Sequence, residues 1–166
     1  MNSVVTVREA ATGDADAIAR IYNHYVAESI VTFEESPVSS ADMTQRILEI
    51  RDDGLPWLVA ELGDGVAGYA YASKWKGRCA YRYATEITVY LGMESQGQGV
   101  GSLLYMQLFD KLRQRGMHTV IAGIALPNAA SVALHEKMGL EKVAHFREVG
   151  RKFDRWIDVG YWQATL

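Results

Sequence analysis

The sequence predicts an α+β layer fold: a single, mostly antiparallel sheet in the middle of the chain with helices packed at its flanks. Three observations predict it. Two apolar runs, Trp57 to Glu61 and Val66 to Ser73, are joined by Gly63-Asp64-Gly65, a strong turn signal, and so form an antiparallel hairpin. A third run, Tyr83 to Leu91, is rich in β-branched and aromatic residues and supplies the next, long strand. Segments on either side repeat their apolar residues at helical spacing. A chain of 166 residues with 49% hydrophobic content suits one compact domain spanning residues 1–166, with a proper core and little room for a second.

In chain order, Val4 to Arg8 reads as a short strand, and Asp14 or Asp16 is placed to cap a helix striped by Ile18, Ile21, Tyr22, Tyr25 and Val26. Ser39 with Asp42 three residues later resembles a capping box for a second helix, continued by Met43, Ile47 and Ile50 and interrupted by Pro56. After the hairpin and the strand through Leu91 comes a Gly-rich turn. Leu104, Tyr105, Leu108, Phe109 and Leu112 then mark one face of a helix that stops near Gly116. His118 to Ala125 is again a strand. Asn128 caps a helix through Met138, with Gly139 ending it in a left-handed conformation, and two strands close the chain, about Lys142 to Val149 and Trp156 to Gln163. No repeat and no Pro/Gly/Ser-rich linker divides it.

Composition excludes several partners. With 22% charged residues and a net charge of -3 there is no broad basic field, so a nucleic acid is not expected. Cys79 stands alone, and His24, His118, His135 and His145 lack the paired spacing of a zinc site, which points to a reducing, cytoplasmic compartment and no metal. No stretch approaches the ~18 apolar residues of a membrane span, so no membrane partner is expected.

The Gly-rich turn, Gln96-Gly97-Gln98-Gly99-Val100-Gly101-Ser102, lies between a strand and a helix, where backbone N–H groups converge with no Cβ in the way. That suits a phosphate cradle, or an ordinary tight connection. It is not a P-loop, since no Lys follows, and it is not a dinucleotide fingerprint, since the third glycine comes one position early and past mid-chain.

Gln96, Gly99 and Gly101 satisfy Gln/Arg-x-x-Gly-x-Gly, which resembles the pyrophosphate-binding motif of GNAT acetyltransferases. The run from Asn128 through Ser131 and His135 to Met138-Gly139-Leu140 is similar to the second signature of that family. Ile21-Tyr22-Asn23-His24-Tyr25, Thr32-Phe33-Glu34, Ala70 to Arg78, Glu86 to Leu91 and Arg155 to Gln163 narrow the resemblance to the phosphinothricin acetyltransferase branch, over nearly the whole chain. The sequence departs at Arg82, where some members carry an acidic residue. The resemblance implies a GNAT fold, a twisted sheet of about six to seven strands splayed in the middle and about four helices. It also implies acetyl-CoA as co-substrate, a small amino-acid-like substrate such as phosphinothricin or methionine sulfoximine, a role in herbicide or antibiotic resistance, and a homodimer. Acetyl-CoA would be held by Val89, Tyr90 and Leu91 on the splayed strand, by Gly97, Gln98, Gly99, Val100, Gly101 and Ser102 at the turn, and by Asn128, which otherwise simply caps its helix.

Acetyl transfer to an amine needs that amine neutral, yet a free amine has a pKa of about 8 to 10, so a base is required. Glu86, a carboxylate in an otherwise apolar strand, is the candidate, unless it faces solvent or pairs in a salt bridge. Strand parity sets Glu86 and Val89 on opposite faces, and the bulge the family has in this strand would re-aim one of them. His135 is the matching candidate acid or proton relay, or a packed helical residue. Arg78 and Arg82 flank the strand of Glu86 and suit a substrate carboxylate. Phe33, Glu34, Trp75 and Tyr83 are candidates for the pocket wall. A peptide acetyltransferase and a non-catalytic CoA-binding module are the alternatives.

Overall fold

The computed structural model describes residues 4–166. Its elements follow as β1 (Val5–Glu9), α1 (Ala15–Glu28), α2 (Ser40–Asp52), β2 (Trp57–Leu62), β3 (Gly65–Lys74), β4 (Ala84–Leu91), α3 (Val100–Gln114), β5 (Thr119–Leu126), α4 (Ala129–Lys137), β6 (Glu141–Lys152) and β7 (Arg155–Thr165). The seven strands form one sheet in the order β1-β2-β3-β4-β5-β7-β6. All neighbours run antiparallel except β4 and β5, which are parallel. The mixed sheet and four helices are the GNAT arrangement that the resemblance implies.

Two core layers follow from the alternation of the strands. On β2, Leu58 and Ala60 face α3 and meet its Leu104, Leu108 and Leu112, all fully buried, whereas Trp57 and Val59 face α1 and α2 and meet Ile18, Met43 and Ile47. The apolar spacing of α3 therefore has a direct cause. Truncating one of its buried leucines should cost about 2–5 kcal/mol.

Local signals explain most of the boundaries. Ser39 and Asp42 form the capping box of α2, and Asn128 Oδ1 accepts from Ser131 N–H at 3.1 Å to cap α4. The capping expectation for α1 needs correction. Asp14 stands at its N-cap but makes no cap bond there; its carboxylate takes a forked pair from Arg8 at 2.8 Å and the Ala11 N–H at 2.7 Å. Asp16 pairs instead with Arg20 one turn on. A forked arginine outcompetes the helix N–H groups for the same oxygens.

The last two strands are longer than the sequence pattern suggests, because their turn at Phe153 and Asp154 is made by two non-glycine residues with φ of 51° and 56°. That left-handed pair closes a two-residue hairpin without the usual Asn-Gly signal. Within β6 the register shifts between Phe146 and Gly150, where Glu148 takes φ 51° and its N–H donates to Asp158 Oδ1 at 2.8 Å. The expected bulge in β4 is absent: its register with β3 is unbroken from Thr85 to Leu91. Glu86 and Val89 accordingly point to opposite faces.

Candidate active site

β4 and β5 pair over three rungs only, Ala84 with Thr119, Thr85 with Val120 and Glu86 with Ile121. Beyond Glu86 the strands part, although β5 stays paired with β7 as far as Leu126. One edge of β4 from Ile87 to Leu91 is thereby left without a strand partner among the described residues. This is the splay, and Glu86 sits at its apex.

Parity decides what Glu86 faces. It shares a face with Gly123 and Ala125 of β5 and with Val159 and Tyr161 of β7, opposite to the α3 layer. These residues, with Val31 and Phe33 from the α1–α2 connection and Phe146 and Val149 from the β6 bulge, line an open cavity of about 370 Å³. Gly123 leaves room for the Tyr161 ring that crosses it, since a Cβ would stand a tight 3.1 Å from that ring. Glu86 is half-buried and unpaired among the described residues, and burial pushes its carboxyl above the ordinary carboxylate range. Its charge in turn raises the Tyr161 phenol, after the larger effect of that ring's own burial. The salt-bridge alternative for Glu86 is thus removed. A smaller cavity of about 100 Å³, lined by Arg51, Trp57 and Arg115 among others, contains none of the sequence-predicted site residues.

The open end of the splay meets the Gly-rich turn. Gly97 and Gly99 take φ of 72° and 80°, conformations that disfavour any side chain, and Gly99 is the N-cap of α3. The first helical bond runs from Leu103 N–H to Gly99 C=O at 3.0 Å, which frees the N–H groups of Val100, Gly101 and Ser102 ahead of it. Gly101 lets α3 and α4 pack closely, since a Cβ would lie a tight 3.1 Å from Leu134. The unused N–H groups and the positive end of a 15-residue helix suit a pyrophosphate. Gln98 donates to the Glu94 carbonyl, and Gln96 reaches out of the turn to Tyr25 Oη at 3.0 Å. Tyr25 in turn donates to the Leu91 carbonyl, so that one acceptor at the end of the splayed strand is already engaged. Tyr90 packs on Tyr22 and Tyr25, on the α1 face, while Val89 and Leu91 lean on the α3 layer. Asn128 uses its oxygen as a cap and keeps its amide N–H₂ unpaired among the described residues.

His135 lies elsewhere. It is buried between α3 and α4, with Nδ1 2.7 Å from the Ser131 carbonyl and Nε2 2.9 Å from Tyr105 Oη. A carbonyl only accepts, so Nδ1 carries the proton and Nε2 accepts from the tyrosine. Burial lowers its pKa, and the fully buried Tyr105 phenol is pushed far above its ordinary value. The ring is neutral, doubly bonded, and on the α3 side of the sheet rather than on the Glu86 side.

Of the sequence-predicted pocket residues, Phe33 lines the cavity. Trp75 stands one residue behind it, edge-on to Tyr161 at 5.7 Å. Glu34 is taken by Arg46 at 2.5 Å and does not line the cavity. Arg78, Arg82 and Tyr83 are exposed on the β3–β4 connection and none lines the cavity; Arg82 donates to the Cys79 carbonyl and stacks over Tyr83. Sequence reasoning missed Val31, Gly123, Ala125, Phe146, Val149, Val159 and Tyr161 as cavity residues. The alternation of β5 and β7 carries the signal for Gly123, Ala125, Val159 and Tyr161, whereas the bulge that delivers Val149 has none.

A parallel pair that opens at a carboxylate, with a glycine-rich helix N-terminus suited to phosphate at one end and a cavity at the other, fits an acyltransferase. The acetyltransferase (GNAT) domain matches residues 7–160, and the chain belongs to that family. A phosphinothricin N-acetyltransferase of Streptomyces viridochromogenes is 42% identical over 159 residues, 96% of this chain and 86% of its own. An L-methionine sulfoximine/L-methionine sulfone acetyltransferase of Salmonella typhimurium is 35% identical, over 98% of this chain and 95% of that one. Among solved structures, a phosphinothricin acetyltransferase from Sinorhizobium meliloti in complex with acetyl-CoA superposes with a TM-score of 0.95 at 35% identity, covering 100% of this chain and 89% of that one.

Proposed function

We propose that the chain transfers an acetyl group from acetyl-CoA directly to the amine of a small amino acid, with Glu86 as general base. The observation that carries this reading is the position of Glu86, on the last rung before the strands part, facing a mostly apolar cavity with no cation beside it among the described residues. Burial makes a carboxylate so placed a stronger base than a free one, and in this reading it takes the amine proton directly or through a water. Acetyl-CoA supplies the activated acetyl thioester. The Gly97–Ser102 turn would hold its pyrophosphate, and the unpaired edge of β4 with the Asn128 amide would hold the pantetheine arm. Names of the relatives support a substrate related to methionine sulfoximine or phosphinothricin.

His135 enters this reading as a packing residue, since both of its nitrogens are used within the protein. Arg78 and Arg82 remain the proposed anchors for the substrate carboxylate: their connection borders the cavity through Trp75. The last hairpin exposes Phe146 and Val149 at the cavity mouth and Trp156 and Phe153 near its tip, each half or more accessible. A second copy of the chain is the proposed cover for that surface.

A thiol-release assay with acetyl-CoA across amino acids and their sulfoximine, sulfone and phosphinate analogues tests the reaction. Turnover of peptides in preference to every free amino acid would transfer the reading to a peptide acetyltransferase. Acetyl-CoA binding without turnover of any amine would leave a binding module.

A further inference from the structure

The α1–α2 connection contributes Val31 and Phe33 to the cavity wall, yet it has no regular secondary structure of its own. Local bonds hold its ends, Glu34 with Arg46 and Asn23 with Val38, but the bond at its centre comes from far away in sequence. Lys152, in the last strand but one, is 3% exposed, and its Nζ donates to the Thr32 carbonyl at 2.9 Å across 120 residues. Thr32 is itself buried and shares its hydroxyl with Tyr22 Oη at 2.7 Å. Two residues before Lys152, Gly150 receives the Phe33 ring so closely that a Cβ there would fall 2.3 Å from Cε2.

A lysine is among the residues least often buried, because its ammonium loses water and must be repaid by good acceptors. Here the ammonium ends on a main-chain carbonyl whose two neighbours in sequence are both wall residues. A methionine would fill the same space without that cost, so packing alone does not account for the charge.

We propose that Lys152 is a positioning residue for the amine substrate: by holding the Thr32 carbonyl, and with Gly150 as the seat of the Phe33 ring, it sets the wall of the Glu86 cavity. The proposal rests on reading that cavity as the amine site. Losing a charge-assisted bond of this kind loosens the wall rather than the fold, and the expected effect is about tenfold on substrate affinity.

The test uses the full chain. With L-methionine sulfoximine as the probe, Lys152→Met should raise its KM about tenfold while the acetyl-CoA KM stays near the parent value, and Lys152→Arg, which keeps a donor, should recover part of the loss. Amide hydrogen exchange without substrate should quicken in residues 29–34 of Lys152→Met and not in α3. An unchanged sulfoximine KM, or a rise in both KM values together, overturns the proposal, as does unchanged exchange in residues 29–34. Should Lys152→Met fail to fold, Gly150→Ala decides the matter: it should raise the sulfoximine KM in the parent and add nothing in Phe33→Ala, and equal effects in both backgrounds would overturn it. A parent that turns over no free amino acid would sink the substrate reading, and the exchange measurement would still decide whether Lys152 orders the wall.

Discussion

Glu86 and Ile121 form the last rung between β4 and β5. The pairing that ends there leaves the carboxylate at the meeting point of two different environments, an unpaired strand edge running toward the Gly-rich turn and an apolar cavity on one face of the sheet.

Replacing Glu86 by Gln keeps shape and removes proton acceptance. Turnover should fall about 100-fold or more, with acetyl-CoA affinity little changed. In the parent, activity should rise with pH through the raised pKa of Glu86, as its base form fills. Steady-state kinetics over a pH series checks both, and equal neutral-pH turnover in mutant and parent would make Glu86 a spectator.

The same substitution should affect stability in the opposite direction. Between the ordinary carboxylate pKa and its higher value in the fold, the native state binds more protons than the unfolded chain, so stability falls as pH rises through that window. Glu86→Gln should therefore melt higher than the parent near neutral pH and match it in acid below the ordinary value. Thermal unfolding at the two pH values gives the comparison.

At the turn, Gly99→Val forces a branched side chain into φ 80° and sits beside the free N–H groups. Calorimetry should show weaker acetyl-CoA binding in a protein that circular dichroism reports as folded. Gly101→Val should also weaken binding but lower the melting temperature further, since its side chain meets Leu134. Unchanged affinity in both would take this turn out of the cofactor site.

His135→Ala leaves the Tyr105 hydroxyl buried without a partner, a loss of about 1–3 kcal/mol before the cavity is counted. The expectation is a lower melting temperature with kcat within a few-fold of the parent. A kcat loss of about 100-fold in a protein of unaltered stability would restore the acid role.

Arg78→Ala and Arg82→Ala, tested separately, should show at least one that raises the amino-acid KM strongly and leaves the acetyl-CoA KM near its parent value. An amide analogue lacking the carboxylate should be a poor substrate and insensitive to the same change. Normal kinetics in both variants would remove amino-acid recognition by these arginines.

The elements were largely legible because each is written in local chemistry: the Ser39 and Asp42 capping box, the Asn128 cap and the α3 stripe stand where the residues indicate, and the hairpin turns at Gly63-Asp64, with Gly65 already the first residue of β3. Of the candidate site, the features written locally were legible too: the left-handed glycines of the Gly-rich turn and a carboxylate at Glu86 that burial makes less acidic. The site was not legible where it depends on distant partners. Nothing near Glu34 in sequence announces Arg46 as its counter-ion, nothing near His135 announces Tyr105, and nothing near Asp14 reveals that Arg8 withdraws its carboxylate from the helix end. The bulge at Glu148 is a tertiary feature held by Asp158, so alternation in β6 misplaces Phe146 and Val149.

The bond from Lys152 to Thr32 joins an early segment to the final hairpin. During synthesis the chain therefore has its Gly-rich turn and its carboxylate well before it has a complete cavity. A product cut short before β6 would keep the Gly-rich turn and Glu86 but lose Phe146, Val149, Val159 and Tyr161 from the cavity wall, so loss of the C-terminal hairpin should silence the proposed amine acetylation.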